Sequence, residues 1–75
     1  MKLPDQIAIN DDVMMGKPCI RGTRIPVYLL LQKLAAGETN AQILHAYPQL
    51  AAADLQACLA YASLLATEEV VLTGT

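Results

Sequence analysis

The densest chemistry in the chain lies in Gly16-Lys17-Pro18-Cys19-Ile20-Arg21-Gly22-Thr23-Arg24-Ile25-Pro26, where two glycines, two prolines and three of the five basic residues share eleven positions. Glycine beside basic side chains invites a phosphate reading, but Gly16 to Gly22 lacks the flanking order of strand and helix that a phosphate-binding loop needs. What Arg21 and Arg24 can do is make paired, charge-assisted hydrogen bonds to a carboxylate or phosphate, with Lys17 adding a point charge. The competing reading is internal. Arg24 could tie this segment to a helix C-terminus or to Asp11 or Asp12, with Gly22 and Thr23 serving only to build a turn.

Other reactive side chains are isolated. His45 has no second histidine and no carboxylate at ligand spacing, so it reads as a surface or hydrogen-bonded residue. Cys19 and Cys58 fit neither a metal-ligand spacing nor a disulfide framework and read as buried, reduced thiols. No paired carboxylates share a face, and no Ser or Cys stands with a base at motif spacing. The chain therefore reads as a binding protein and not an enzyme, with no cofactor or metal expected.

Seventy-five residues suit one small domain, whose core is inherently marginal. Yet 55% of the residues are hydrophobic and 16% charged, against a usual charged fraction of about 25%, so more apolar side chain is present than so small a core can hide. A partner surface is the natural place for the excess. The net charge of −2 conceals a division. Residues 1–37 hold Lys2, Lys17, Arg21, Arg24 and Lys33 against Asp5, Asp11 and Asp12, whereas residues 38–75 hold Glu38, Asp54, Glu68 and Glu69 with no Lys or Arg. Any surface that meets a polyanion must come from the first half. No apolar run is long enough to span a bilayer and the start lacks the apolar region of a secretory signal, so a cytoplasmic protein without a membrane partner is expected.

The elements that position these side chains follow from local pattern. A β-ribbon is expected within residues 7–25: Ile7-Ala8-Ile9 alternates so that both isoleucines share a face, Asn10-Asp11-Asp12 turns the chain, and Cys19-Ile20-Arg21 returns as a second strand. Pro26 suits the first turn of a helix over 26–36, apolar nearly all round, which Gly37 ends in a left-handed cap. Thr39 and Gln42 frame a capping box for a helix over 40–47 that stops before Pro48. A third helix spans 52–69, with Leu50 and Leu55 as a hydrophobic staple, Asp54 near the positive end of the dipole, and Ala51 giving the cap no side-chain acceptor. On that helix Leu55, Cys58, Leu59, Ala62, Leu65 and Ala66 form one face, and Tyr61 and Leu64 widen the apolar arc beyond what two short neighbours cover. A homodimer or higher oligomer burying Tyr61 and Leu64 is expected. The tail from Val70 to Thr75 could fray or add apolar contact.

Three helices behind a short ribbon predict a mainly α, trihelical helix-turn-helix (homeodomain-like) bundle. Gly16-Lys17-Pro18, Ile20-Arg21-Gly22-Thr23-Arg24-Ile25-Pro26-Val27, Leu34-Ala35-Ala36-Gly37, Tyr47-Pro48-x-Leu50 and Leu59-Ala60-Tyr61-Ala62 together resemble the domain-of-unknown-function 433 (DUF433) family, over roughly residues 7–66. The chain departs from that pattern at Ala51, where Thr or Ser is usual. The resemblance implies a helix-turn-helix-like antitoxin of the toxin-antitoxin type, encoded beside a small PIN-like nuclease that it binds and silences; it implies no catalytic residues.

Two functions follow as expectations: inhibition of a PIN-like nuclease through Lys17, Arg21 and Arg24, or DNA binding as an autorepressor. The third helix opens Ala51-Ala52-Ala53-Asp54-Leu55-Gln56, with one candidate base reader, Gln56, and a carboxylate that would repel phosphate. DNA, if bound, is expected on the same three cations from two subunits.

Overall fold

A computed structural model describes residues 2–68. Strands β1 (Ile7–Ala8) and β2 (Cys19–Ile20) pair antiparallel, Ile7 opposite Ile20 and Ala8 opposite Cys19, and are followed by helices α1 (Val27–Ala35), α2 (Asn40–Ala46) and α3 (Ala52–Glu68). This is the mainly helical architecture with an N-terminal ribbon that the sequence pattern predicts. Helix α3 packs on α1, α2 and β1. The core forms where they meet, with Ile7, Val27, Leu30, Ile43, Leu55 and Cys58 fully buried.

The ribbon is shorter than expected. Its ladder ends at Ala8 because Asn10 already starts a turn, its Oδ1 accepting from the Asp12 N–H at 2.8 Å. Ile9 therefore leaves the face it would share with Ile7 and is 51% exposed. Past β2 the chain doubles back at once. The Thr23 N–H donates to Ile20 O at 3.0 Å around Gly22, whose φ of +81° suits only glycine without strain, and Ile20 N–H donates to Ile25 O at 3.0 Å. The Thr23 hydroxyl locks this turn, donating to Ile20 O at 2.8 Å and accepting from Ile25 N–H at 3.0 Å.

That turn leaves Pro26 bridged to Cys19 with an extended ψ of 144°, so the proline is the N-cap of α1 instead of its first helical residue. The missing N–H is harmless in either place. At the other end Gly37, at φ +94°, closes α1 in a full Schellman motif, with Gly37 N–H on Leu34 O and Glu38 N–H on Lys33 O. Two residues later the Thr39 Oγ1 accepts from Gln42 N–H at 3.1 Å and Gln42 Oε1 accepts from Thr39 N–H at 2.8 Å, completing the capping box. Helix α2 stops one residue early, as Tyr47 leaves helical geometry before Pro48 (φ −126°, ψ 75°). Helix α1 is not enclosed all round: Val27 and Leu30 are buried, while Tyr28 is 47% exposed.

The rotation of α3 differs from the expected one. Leu55, Ala57 and Cys58 face the core and Tyr61 packs against it, whereas Leu59 (46%) and Leu65 (38%) point outward and Ala66 is exposed. A helix apolar around most of its circumference carries no period that fixes which line faces in; the positions of Ile7 and Ile43 do. Residue 69, expected as the last of this helix, and the tail from Val70 lie outside the described residues.

Helix α3 starts with half a capping box. Asp54 Oδ2 accepts from the Ala51 N–H at 2.8 Å, but Ala51 returns nothing from its side chain. Ala51→Ser or Ala51→Thr supplies the missing acceptor and should stabilise the fold by about 0.5–2 kcal/mol. A thermal midpoint that does not rise would show that the cap is not limiting. Burial, and secondarily the Asp54 carboxylate, push the Cys58 thiol up from 9.0 to about 11. The folded protein thus holds the proton more tightly than the unfolded chain does, so this contribution is intact below pH 9 and lost as the pH rises through about 11. Denaturation series should show alkaline destabilisation that is smaller in Cys58→Ala, although that variant is less stable at neutral pH. Parallel pH profiles for the two proteins would contradict this.

Candidate functional site

The three basic residues singled out by the sequence sit around one groove of about 420 Å³, formed by β2, the Gly22 turn and the loop after β1. Its walls include Ala8, Asn10, Val13, Cys19 and Ile20, and no carboxylate lines it among the described residues. Lys17, Arg21 and Arg24 therefore give the lining a positive charge, which suits an anionic group.

The three cations are not equivalent. Arg21 occupies the turn after β2, and its guanidinium reaches back to the N-terminal segment: Nε donates to Asp5 O at 2.8 Å and a terminal nitrogen to Ile7 O at 3.2 Å. Its own N–H donates to Gln6 O at 2.7 Å. This fork holds β1 against β2, an internal role that sequence reasoning weighed for Arg24 and not for Arg21. Arg24 is exposed and makes no hydrogen bond or ion pair among the described residues. The alternative in which it ties the ribbon to Asp11 or Asp12 is not realised. Lys17 is also exposed, its ammonium 5.6 Å from the ring centroid of Tyr28 on α1, within range of a cation–π contact.

Sequence reasoning missed what places Lys17 there. Val13 leads into a left-handed turn in which Met14 (φ 51°), Met15 (φ 57°) and Gly16 (φ 81°) follow one another, closed by Gly16 N–H on Val13 O and Lys17 N–H on Met14 O, both at 3.1 Å. Each non-glycine residue in this geometry costs roughly 1–2 kcal/mol. Met15 recovers nothing by packing, since it is 92% exposed. The available signal was that Val13-Met14-Met15 is apolar yet lies between turn formers with no period of its own.

A second, apolar groove of about 270 Å³ lies between α1 and α3, with Val27, Leu31 and Tyr61 as walls and Tyr28 and Leu65 at its rim. Lys17 lines both grooves, so they form one continuous surface, cationic at one end and apolar at the other. Tyr61 and Leu64, expected at an oligomer interface, are half-buried, and only Tyr61 of the two lines this groove. The most exposed large apolar side chains on α3 are Leu59 and Leu65. His45 is exposed on α2, Cys19 and Cys58 are buried and unpaired, and no group of three or more potential metal ligands comes together among the described residues. No helix among them is long and apolar enough to cross a membrane.

The division of labour between the arginines is testable by stability alone. Arg21→Ala should lower the unfolding free energy by about 1–2 kcal/mol through loss of the carbonyl fork, while Arg24→Ala should stay within about 0.5 kcal/mol of the parent. Equal effects in urea denaturation would erase the distinction.

Comparison with known proteins places this arrangement. A protein from Sinorhizobium fredii (strain NBRC 101917 / NGR234), called uncharacterized protein y4eO, is 36% identical over 56 residues, which are 75% of this chain and 25% of that protein. The crystal structure of a DUF433 member from Anabaena variabilis ATCC 29413 superposes with a TM-score of 0.79 at 34% identity, covering 85% of this chain and 63% of the other. The chain thus spans a quarter of the first relative and less than two thirds of the second. Residues 7–62, which contain the ribbon, both grooves' cations and most of the helical core, match the family described as Protein of unknown function (DUF433), and the chain belongs to that family.

Proposed function

We propose that this chain is an antitoxin-like, helix-turn-helix-like binding protein that inhibits a PIN-like nuclease by direct contact, with Arg24 as the principal anchor and Lys17 beside it. The observation that carries the reading is the exposed Arg24 guanidinium on a groove where, among the described residues, it has no internal partner and no carboxylate forms the lining. PIN-type nucleases gather carboxylates around a divalent metal, and a planar guanidinium can take two carboxylate oxygens at once. Binding there would compete with the metal or block the approach of RNA. Arg21 contributes charge to the same groove, but its Nε and one terminal nitrogen are already engaged, so its role is chiefly to hold the ribbon.

The alternative, a DNA-binding autorepressor, would use the same cations. Helix α3 offers little to a duplex: the Asp54 carboxylate at its start is turned onto the Ala51 N–H and the first turns carry no Lys or Arg. Affinity would have to come from Lys17 and Arg24 of two subunits, with a steep salt dependence.

Co-expression with a candidate PIN-like nuclease, if one is encoded in the adjacent reading frame, tests the first reading. Arg24→Glu should leave the thermal midpoint near that of the parent yet abolish both co-purification and inhibition, and Lys17→Glu should weaken them. Full inhibition by Arg24→Glu would overturn the proposal. Salt-sensitive operator binding by the chain alone, lost in Arg24→Ala, would support the repressor in its place.

A further inference from the structure

The two grooves meet at Lys17, whose ammonium stands 5.6 Å from the centroid of the Tyr28 ring, so a positive charge sits at the edge of the apolar groove and not apart from it. On one side of it lies Arg24, which makes no ion pair among the described residues; on the other lie Tyr28, Leu31, Tyr61 and Leu65. No carboxylate lines either groove among the described residues. An occupant that matches the whole surface must carry a negative group and, a short step away, an apolar one.

We propose that this surface takes an extended segment of another protein in which an acidic and a large apolar side chain stand two residues apart, the carboxylate meeting Lys17 and Arg24 and the apolar group entering the groove between α1 and α3. The spacing follows from geometry. Along an extended chain, side chains on one face recur every second residue, roughly 6.4–6.8 Å apart, close to the 5.6 Å between the Lys17 charge and the ring at the rim. Width favours an extended chain over a helix. A helix with its side chains is about 10–12 Å across, so a groove of about 420 Å³ would hold roughly one turn of it. Charge and apolarity together favour a polypeptide over a polynucleotide: Arg21 is largely spent on main-chain carbonyls, which leaves few cations for phosphates, and Lys17 already lies over the Tyr28 ring, where a base would stack. The inference deepens the reading above and rests on it in taking the partner to be a protein.

Heteronuclear NMR on the full-length chain, titrated with the peptide Gly-Ser-Glu-Ser-Leu-Ser-Glu-Ser-Gly, tests it; a Glu on each side of Leu makes the direction of the segment immaterial. Saturable shifts should gather on Lys17, Arg24, Tyr28 and Leu65. Affinity should fall about fivefold or more when the peptide's Leu is replaced by Ser, when both Glu are replaced by Gln, or when Glu and Leu are made adjacent, which sends them to opposite faces. Lys17→Glu and Leu65→Lys, both at exposed positions, should cost as much while the rest of the spectrum stays as in the parent. The peptide's Leu should matter little to Leu65→Lys, as direct contact between the two requires. Equal binding of the Leu-free peptide would overturn the proposal by reducing it to charge attraction, and so would shifts that map elsewhere or binding that never saturates. Tighter binding of oligothymidylate at the same residues would overturn it in favour of nucleic acid. Because no nuclease is present, failed co-purification leaves this titration readable, and a failed titration leaves inhibition to be judged by Arg24→Glu.

Discussion

Two carbonyl oxygens of the N-terminal segment, those of Asp5 and Ile7, end on the guanidinium of Arg21, and the carbonyl between them ends on the Arg21 N–H. A ribbon of two residues per strand cannot hold itself together in water. The arginine supplies what the ladder lacks, and what it holds matters because Ile7 is the ribbon's side chain in the core, fully buried with Leu30, Ile43 and Leu55. The same turn that aims Arg21 inward puts Arg24 outward three residues later, so one backbone reversal produces both the fastening and the free cation of the groove.

The rest of the fold is economical in a way suited to its size. Each element commits only one or two large side chains to complete burial, and no buried side-chain polar atom lacks a partner among the described residues. The exposed large apolar side chains lie in several places, Ile9 and Met15 between the strands, Tyr28 on α1 and Leu59 and Leu65 on α3, and of these Tyr28 and Leu65 line the apolar groove beside Lys17. The part of the apolar surplus beside Lys17 is what reads as a binding surface.

Much of this was legible because it is local chemistry. Gly37, Thr39 with Gln42, and Pro48 act on backbone groups within five residues, so their types and spacing state the helix boundaries directly. Pro26 was misplaced by a single position, since a bridge to Cys19, invisible in the helical pattern, holds its ψ extended. Arg21 was misjudged for a related reason: its acceptors are main-chain carbonyls 14 and 16 residues away, and a carbonyl carries no sequence signature. The cluster of cations could be read, but not which one is spent on the fold. The rotation of α3 was equally beyond reach, because Leu59 and Leu65 differ from Leu55 only in what other elements place opposite them.

The joint between α1 and α2 has a mechanical consequence. The Schellman bonds of Gly37 and Glu38 end where the reciprocal bonds of Thr39 and Gln42 begin, so several of the main-chain groups that a helix end normally leaves to solvent are answered internally on both sides of the elbow. The cation of Lys33 extends the seal, 3.6 Å from the Glu38 carboxylate and 5.9 Å from the Tyr47 ring centroid. These contacts stiffen the elbow between α1 and α2. The left-handed loop that carries Lys17 has no such fastening from its most exposed member, Met15, so the wall of the grooves it forms is the less braced one.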